Sequence, residues 1–357
     1  MRIGFVVPGG LDRVSGGFIY DRHLIRALRA QGATVDVLPL AWLSLLPALA
    51  SNALPLPAAP GAHDVLIEDE LCHPAVLWRH RRLRRQGLRV VALVHNLASR
   101  QPATQHRRLR AAVERTYLRS VDGVAAVCAS TLCDVESLAG RSLPIVVAPA
   151  GRDHVAALDG DFVAARALEA GPLRLLFAAT VAPAKGLHRL FAVLQALVQA
   201  GQDVTVDVAG ALDQDVPYVC ALRARLLDAR LDGRVRWHGL LRGDALWAVY
   251  RRCHALALPS DREAYPLVAI EALGSGLPVL ATDQGGAAEL LGVGAHARCL
   301  PPDDRAAWTA ALAEWAGDRN SLAAAGRLAL ARFQSLGTWA DAASHVLALC
   351  RRLRDGR

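Results

Sequence analysis

The chain of 357 residues is 53% apolar and 21% charged, with 29 Gly and 18 Pro spread along it, so it has material for large cores and no extended disordered segment. Its length points to two domains rather than one. Lysine plus arginine reach 41 against 33 acids, a net charge of +8 carried nearly all by arginine; aromatics are only 5% and no nucleic-acid motif is present, which excludes a dedicated nucleic-acid binder.

RIGFVV (residues 2–7) predicts a strand and FIYDRHLIRALRAQG (18–32) a helix, with a Gly-rich turn between them. The start lacks the cleavage site and longer apolar region of a signal peptide, so a cytoplasmic location is expected. Beyond the strand TVDVLPL (34–40), residues 41–60 are apolar, yet Pro47, Pro55, Pro57 and Pro60 bar an unbroken spanning helix. That stretch is expected to be a loop, an interfacial one being in view. DVLIED, RVVALVH, GVAAVCAS and PIVVAPA continue the strand series to residue 150. The basic runs at 79–89, 105–115 and 351–357 suit solvated helix faces or peripheral contact with an anionic membrane at its inner face. Cysteines at 72, 128, 133, 220, 253, 299 and 350 have no paired metal spacing and are expected as reduced core residues.

The same alternation restarts after a helical, acidic stretch near 155–171, with LRLLFAAT, DVTVDVAG, VRWHGL, HALALPS and PVLAT. Strands alternating with helices predict βαβ units and parallel sheets. The expected architecture is α/β: two Rossmann-like doubly wound domains, residues 1–160 and 161–335, facing across a cleft. A final helix within 336–357 is expected to pack back on the first domain. Ligands in such sheets lie beyond the carboxyl ends of the strands, so the strand-end loops are where chemistry is sought.

LRLLFAATVAPAKGLHRL brings Lys185 and Gly186 to a strand-to-helix turn, where free N–H groups and a lysine together suit a phosphate. A plain surface lysine explains the position as well, but lysine is almost absent from this arginine-rich chain. DREAYPLVAIEALGSG reads as a loop carrying Glu263 and a helix with Pro266 at its first position. Glu271 then falls in a helix that is apolar nearly all round, where an unpaired carboxylate costs several kcal/mol. A ribose beside it would supply two hydroxyl donors.

Glu263 and Glu271, with seven residues between them and GSGLPVLATDQGGAAELL following, resemble the E-x7-E signature of retaining glycosyltransferases of family 4, which have the GT-B fold. SGGFIYDRHLIRALRAQG, AGRDH (150–154) and AKGL extend the likeness over nearly the whole chain. The resemblance implies an enzyme that moves a hexose-type sugar from a UDP- or GDP-sugar to an acceptor hydroxyl with retention, needing no metal or other cofactor. It places Glu271 on the ribose, Glu263 near the transferred sugar and Lys185 on the diphosphate. Gly16 and Gly17 match the loop approaching phosphates and acceptor, where a side chain would collide; His95 matches a histidine near the donor sugar, and a satisfied strand-end histidine is its alternative. Gly285 and Gly286, followed by Glu289, match the nucleotide-side loop, and the amides of Tyr265, Leu267 and Val268 are left to touch phosphate. Front-face attack is the implied course, with the departing phosphate taking the acceptor's proton and the charge on it stabilised by position and electrostatics.

Thr180 stands where many relatives have arginine, removing one phosphate cation that Arg262 or Arg242 would have to replace, and Pro266 stands where many have glycine. Asp213 and Asp215 form a D-x-D spacing that a metal-dependent transferase would use. A nucleotide-sugar epimerase, or a binding module without turnover, remains open on the same scaffold.

Overall fold

Two series of aliphatic, β-branched runs build two separate sheets in the computed structural model, which describes every residue except 14, 54–60, 103 and 357. The chain divides into two compact units, Met1–Gly151 together with Gly337–Arg357, and Arg152–Leu336.

The first unit carries β1 (Arg2–Pro8), β2 (Thr34–Leu40), β3 (Val65–Asp69), β4 (Arg89–Val94), β5 (Gly123–Ala126) and β6 (Ile145–Val147) in the order β2-β1-β3-β4-β5-β6. Every pairing is parallel. The central strands are buried along nearly their whole length, which is why they read as unbroken apolar runs. The helix Trp339–Arg354, opened by a capping box between Thr338 and Asp341, completes this unit against the helix Gly16–Ala30. Tyr20 anchors that seam: its hydroxyl donates to the Ala148 carbonyl at 2.5 Å and its ring meets Trp339 edge-on at 5.1 Å.

Residues 41–60 are not simply a loop. Leu45–Ala50 form a helix and Ser51–Ala53 a 3-10 turn. Pro47 is tolerated as its third residue because the first N–H groups of a helix have no intrahelical acceptor. Pro55, Pro57 and Pro60 lie outside the described residues. Of the cysteines, Cys72, Cys128, Cys253 and Cys350 are buried, whereas Cys133 and Cys220 are exposed on helices rather than in the core; none of the seven forms a disulfide.

The second unit carries β7 (Leu173–Ala178), β8 (Val204–Ala209), β9 (Val235–Gly239), β10 (Ala255–Leu258), β11 (Val279–Thr282) and β12 (Ala297–Leu300) in the order β12-β11-β10-β7-β8-β9, again all parallel. The division between units falls at 151/152 rather than 160/161 because the segment after it packs on the second sheet's helices. Val163 is wholly buried where Gly276 and Gly326 make room; a Cβ there would stand 2.4 and 2.7 Å from it. Arg166, also buried, donates to the carbonyls of Ser275 and Gly276. No helix among the described residues is long and apolar enough to cross a membrane.

Candidate active site

In the second unit, three strand-end loops meet. β7 runs through Thr180, half-buried, into a 3-10 turn Pro183–Lys185, and Gly186 turns the chain into the helix Leu187–Gln199. Only glycine fits there: its φ is +72°, and a Cβ would come 1.9 Å from the Pro259 carbonyl oxygen. The Asp261 amide donates to the Ala184 carbonyl at 2.8 Å, and Arg189 pairs with Asp261 at 2.7 Å, fastening this loop to the one after β10. Lys185 is the chain's single lysine. Its Nζ lies 2.7 Å from Glu263 Oε1, which also accepts from Ser260 Oγ at 2.6 Å.

The loop after β11 holds Glu263 from the other side. Its amide donates to the Gln284 carbonyl at 3.0 Å, and its own carbonyl accepts from the Gly286 amide at 2.8 Å. Gly285 has φ +103°, and a Cβ on it would reach within 2.0 Å of that same carbonyl oxygen. Gly286 then opens the helix Ala287–Leu291, on which Glu289 is exposed. Side chain and backbone of Glu263 are therefore both fixed, and the residue is 9% exposed.

The helix carrying Glu271 is Leu267–Gly274, so Pro266 is its N-cap and not its first residue. Leu267 is buried, while Tyr265 and Val268 are half-buried. Leu267 and Val268 open the helix's first turn, where backbone N–H groups lack an intrahelical acceptor. Glu271 is not left for a ligand alone to compensate. Its carboxylate accepts from the Tyr250 hydroxyl at 2.6 Å, a partner from the separate helix Gly243–Arg252. Burial raises its pKa from 4.5 to about 7, with the Tyr250 bond opposing the rise. A single hydrogen bond does not balance the lost hydration, and a ligand hydroxyl would find this carboxyl receptive. Asp215 of the D-x-D pair serves as N-cap of the helix Val216–Asp228, accepting from the Tyr218 amide at 3.0 Å.

In the first unit, Gly16 and Gly17 begin the helix Gly16–Ala30. The protein itself does not demand glycine at either: a Cβ on Gly16 meets nothing within 4 Å, and one on Gly17 makes ordinary contact with His95 Cδ2 at 3.5 Å. No collision within the protein accounts for glycine at either position. His95 follows β4, its amide donating to Glu70 Oε2 at 3.0 Å and its Nε2 lying 3.0 Å from Asp21 Oδ1. Asp21, Asp69 and His95 offer atoms all within 4.8 Å of one another.

Sequence reasoning missed Asp21, Asp69 and Glu70. Burial lifts Asp21 and Asp69 to about 7 and Glu70 to about 8; the Asp21 charge adds to the rise at Asp69, and the Asp69 charge to that at Glu70. The acidic IEDE run was the available signal.

Two parallel six-stranded sheets with helices around them match GT-B glycosyltransferase structures. Sucrose-phosphate synthase from Thermosynechococcus elongatus superposes with a TM-score of 0.78 at 20% identity, covering 100% of both chains. Anabaena HepE in complex with UDP-glucose gives 0.72 at 17% identity, covering 100% of this chain and 99% of that one. The family enters through the second unit: residues 162–330 match the family model described as Glycosyl transferases group 1, and that stretch is a group 1 glycosyl transferase domain. Every second-unit candidate, from Thr180 to Gly286, lies inside it. Among curated proteins, glycogen synthase of Mycobacterium tuberculosis is 30% identical over 234 residues, 65% of this chain and 55% of its own length. D-inositol 3-phosphate glycosyltransferase of Nocardia farcinica is 32% identical over 209 residues, 57% of this chain and 46% of its own. The chain thus spans about half the length of the curated relatives it matches.

Proposed function

We propose that this protein is a retaining glycosyltransferase that moves a hexose-type sugar from a UDP- or GDP-sugar to an acceptor hydroxyl, in the cytoplasm and without a metal. The observation that carries the reading is the Lys185 and Glu263 pair, held between three loops of a group 1 domain, with Glu263 four residues before the first-turn amides of Leu267 and Val268 begin the next helix. In it, Lys185 and those amides stabilise charge gathering on the leaving diphosphate. Glu263, already fixed by Ser260 and the backbone around Gly285 and Gly286, faces the sugar. Glu271 receives the ribose hydroxyls. Thr180 brings one hydroxyl and no charge to the phosphate side. Gly16, Gly17 and His95 of the first unit contribute the donor-sugar and acceptor contacts. A structural neighbour solved in complex with UDP-glucose supports a uridine donor first.

The test is thermal denaturation across nucleotide sugars, followed by turnover in excess EDTA and assignment of the product's anomeric configuration. A nucleotide diphosphate that binds the folded form must raise the melting temperature by mass action. If none does, or if the product is inverted, the reading fails.

The acceptor side bears on location. Between residues 70 and 115, eleven arginines face two acids, Glu70 and Glu114, and both acids are buried. Arg84 and Arg89 pair with Asp122, and Arg100 with Asp134, while Arg81, Arg82, Arg85, Arg107 and Arg108 keep no carboxylate in salt-bridge reach among the described residues. Beside this charge, Trp42 (47% exposed), Leu46 (71%) and Trp78 (63%) stand out to solvent in the same unit. Indole rings with a basic surround suit a headgroup layer, so this reading includes peripheral contact with an anionic membrane and a lipid-linked acceptor.

A further inference from the structure

Each carboxyl of the Asp21 and Asp69 pair has one oxygen employed and one orphaned. Asp21 Oδ1 faces His95 Nε2 at 3.0 Å, and Asp69 Oδ1 accepts the Leu71 amide at 2.8 Å. Both Oδ2 atoms are buried with no hydrogen-bond partner among the described residues, in side chains 0% and 1% exposed. Two buried acceptors in contact are each costly, and two charges so placed would repel. A single proton removes both problems, because it turns one carboxyl into a donor for the other.

We propose that Asp21 and Asp69 share one proton, and that the pair acts as a positioning device fixing the His95 ring with its Nε2–H donated to Asp21 and its Nδ1 open. The surroundings agree. Asp69, Glu70, His95, Arg22 and the buried Cys72 thiol are charged or titratable groups around the pair, and Arg22 is the sole full cation among them. Burial raises all three acids toward neutrality, and neighbouring carboxylates add to the rise at Asp69 and Glu70. The ring's backbone is held by Glu70 Oε2 and its edge lies against Tyr20 at 4.9 Å, so rotation is opposed on two sides. Nδ1 has no hydrogen-bond partner among the described residues. On the proposed function, that nitrogen is the acceptor His95 presents to the donor sugar.

The proton sharing is testable without any glycosyl transfer, so its failure is separate from failure of the function. The infrared difference spectrum of wild type minus Asp69→Asn at pH 6 should contain one carbonyl band of a buried carboxylic acid, the bands of the likewise raised Glu70 and Glu271 cancelling, because the introduced amide donates to Asp21 without needing a proton. Nitrogen-15 histidine spectra should place the His95 proton on Nε2 in the wild type, and Asp21→Leu, which cannot accept it, should lose that tautomer preference. If Asp69→Asn does not fold, the position of the wild-type His95 proton decides, since Glu70 and Glu271 also carry acid bands at pH 6. No carboxylic acid band in that difference spectrum, a His95 proton on Nδ1, or one equivalent of bound divalent metal by elemental analysis would each overturn the proposal.

Discussion

Glu271→Gln separates two demands on one carboxyl. The substitution keeps the side chain's shape and an oxygen for the Tyr250 hydroxyl but removes the charge. Burial lifts the folded-state pKa of Glu271 from 4.5 to about 7. A raised folded-state value means the folded form binds the proton more tightly than the unfolded one. Its stabilising contribution is therefore complete below the unfolded value and is lost as pH climbs through the folded one. At about 1.4 kcal/mol per pH unit, the loss above pH 7 approaches about 3 kcal/mol, a ceiling because the residue keeps some solvent access. The substituted amide cannot titrate. Relative to the wild type, the variant should be nearly equal at pH 5 and more stable at pH 8 by up to about 3 kcal/mol. Urea unfolding followed by tryptophan fluorescence at both pH values measures this, and taking variant minus wild type cancels the other raised acids, Asp21, Asp69 and Glu70. Affinity for the nucleotide should fall meanwhile. If the variant gains nothing between pH 5 and pH 8, the protein already compensates the carboxylate and the argument for a hydroxyl ligand collapses.

Lys185→Ala should weaken nucleotide diphosphate binding by calorimetry at least tenfold; because Lys185 is the single lysine, a lysine-selective reagent should label one side chain and bound donor should protect it. Gly285→Ala would drive a Cβ to 2.0 Å from the Glu263 carbonyl oxygen at φ +103°, and a loss of about 1–3 kcal/mol in urea unfolding, with lowered turnover, is expected. Unchanged stability there would mean that the loop is free to move. Leu46→Glu together with Trp42→Ala should abolish co-sedimentation with vesicles rich in phosphatidylglycerol, which the wild type should bind in low salt and release in high salt. Equal binding to zwitterionic vesicles, or none to either, removes the membrane contact.

The sheets were legible because a parallel strand buried on both faces is a short aliphatic run, as β4, β5, β10 and β11 are. β12, Ala-Arg-Cys-Leu at an edge and only partly buried, has no such run and gives no comparable signal. The helix Leu45–Ala50 was hidden by Pro47, whose position in the first turn cannot be read from composition. Lys185, Glu263, Glu271 and Gly285 stood out because each violates its surroundings: a lone lysine, carboxylates in apolar sequence, a glycine pair. Their partners did not. Tyr250 lies 21 residues from Glu271, Asp21 lies 74 from His95, and nothing local ties such residues together.

The first unit is discontinuous in the chain, and this has a consequence for how the protein is made. Leu353 fills the space over Gly123, where a Cβ would stand 2.8 Å from its Cδ1, and Trp339 covers Tyr20. Those covering residues leave the ribosome only after the whole of Arg152–Leu336 has been synthesised. The second unit can finish folding first, while the first waits with an open apolar seam on its sheet. A chain stopped at residue 336 would keep every second-unit candidate residue and still be an aggregation hazard, and ribosome-bound intermediates of that length are where chaperone dependence should appear.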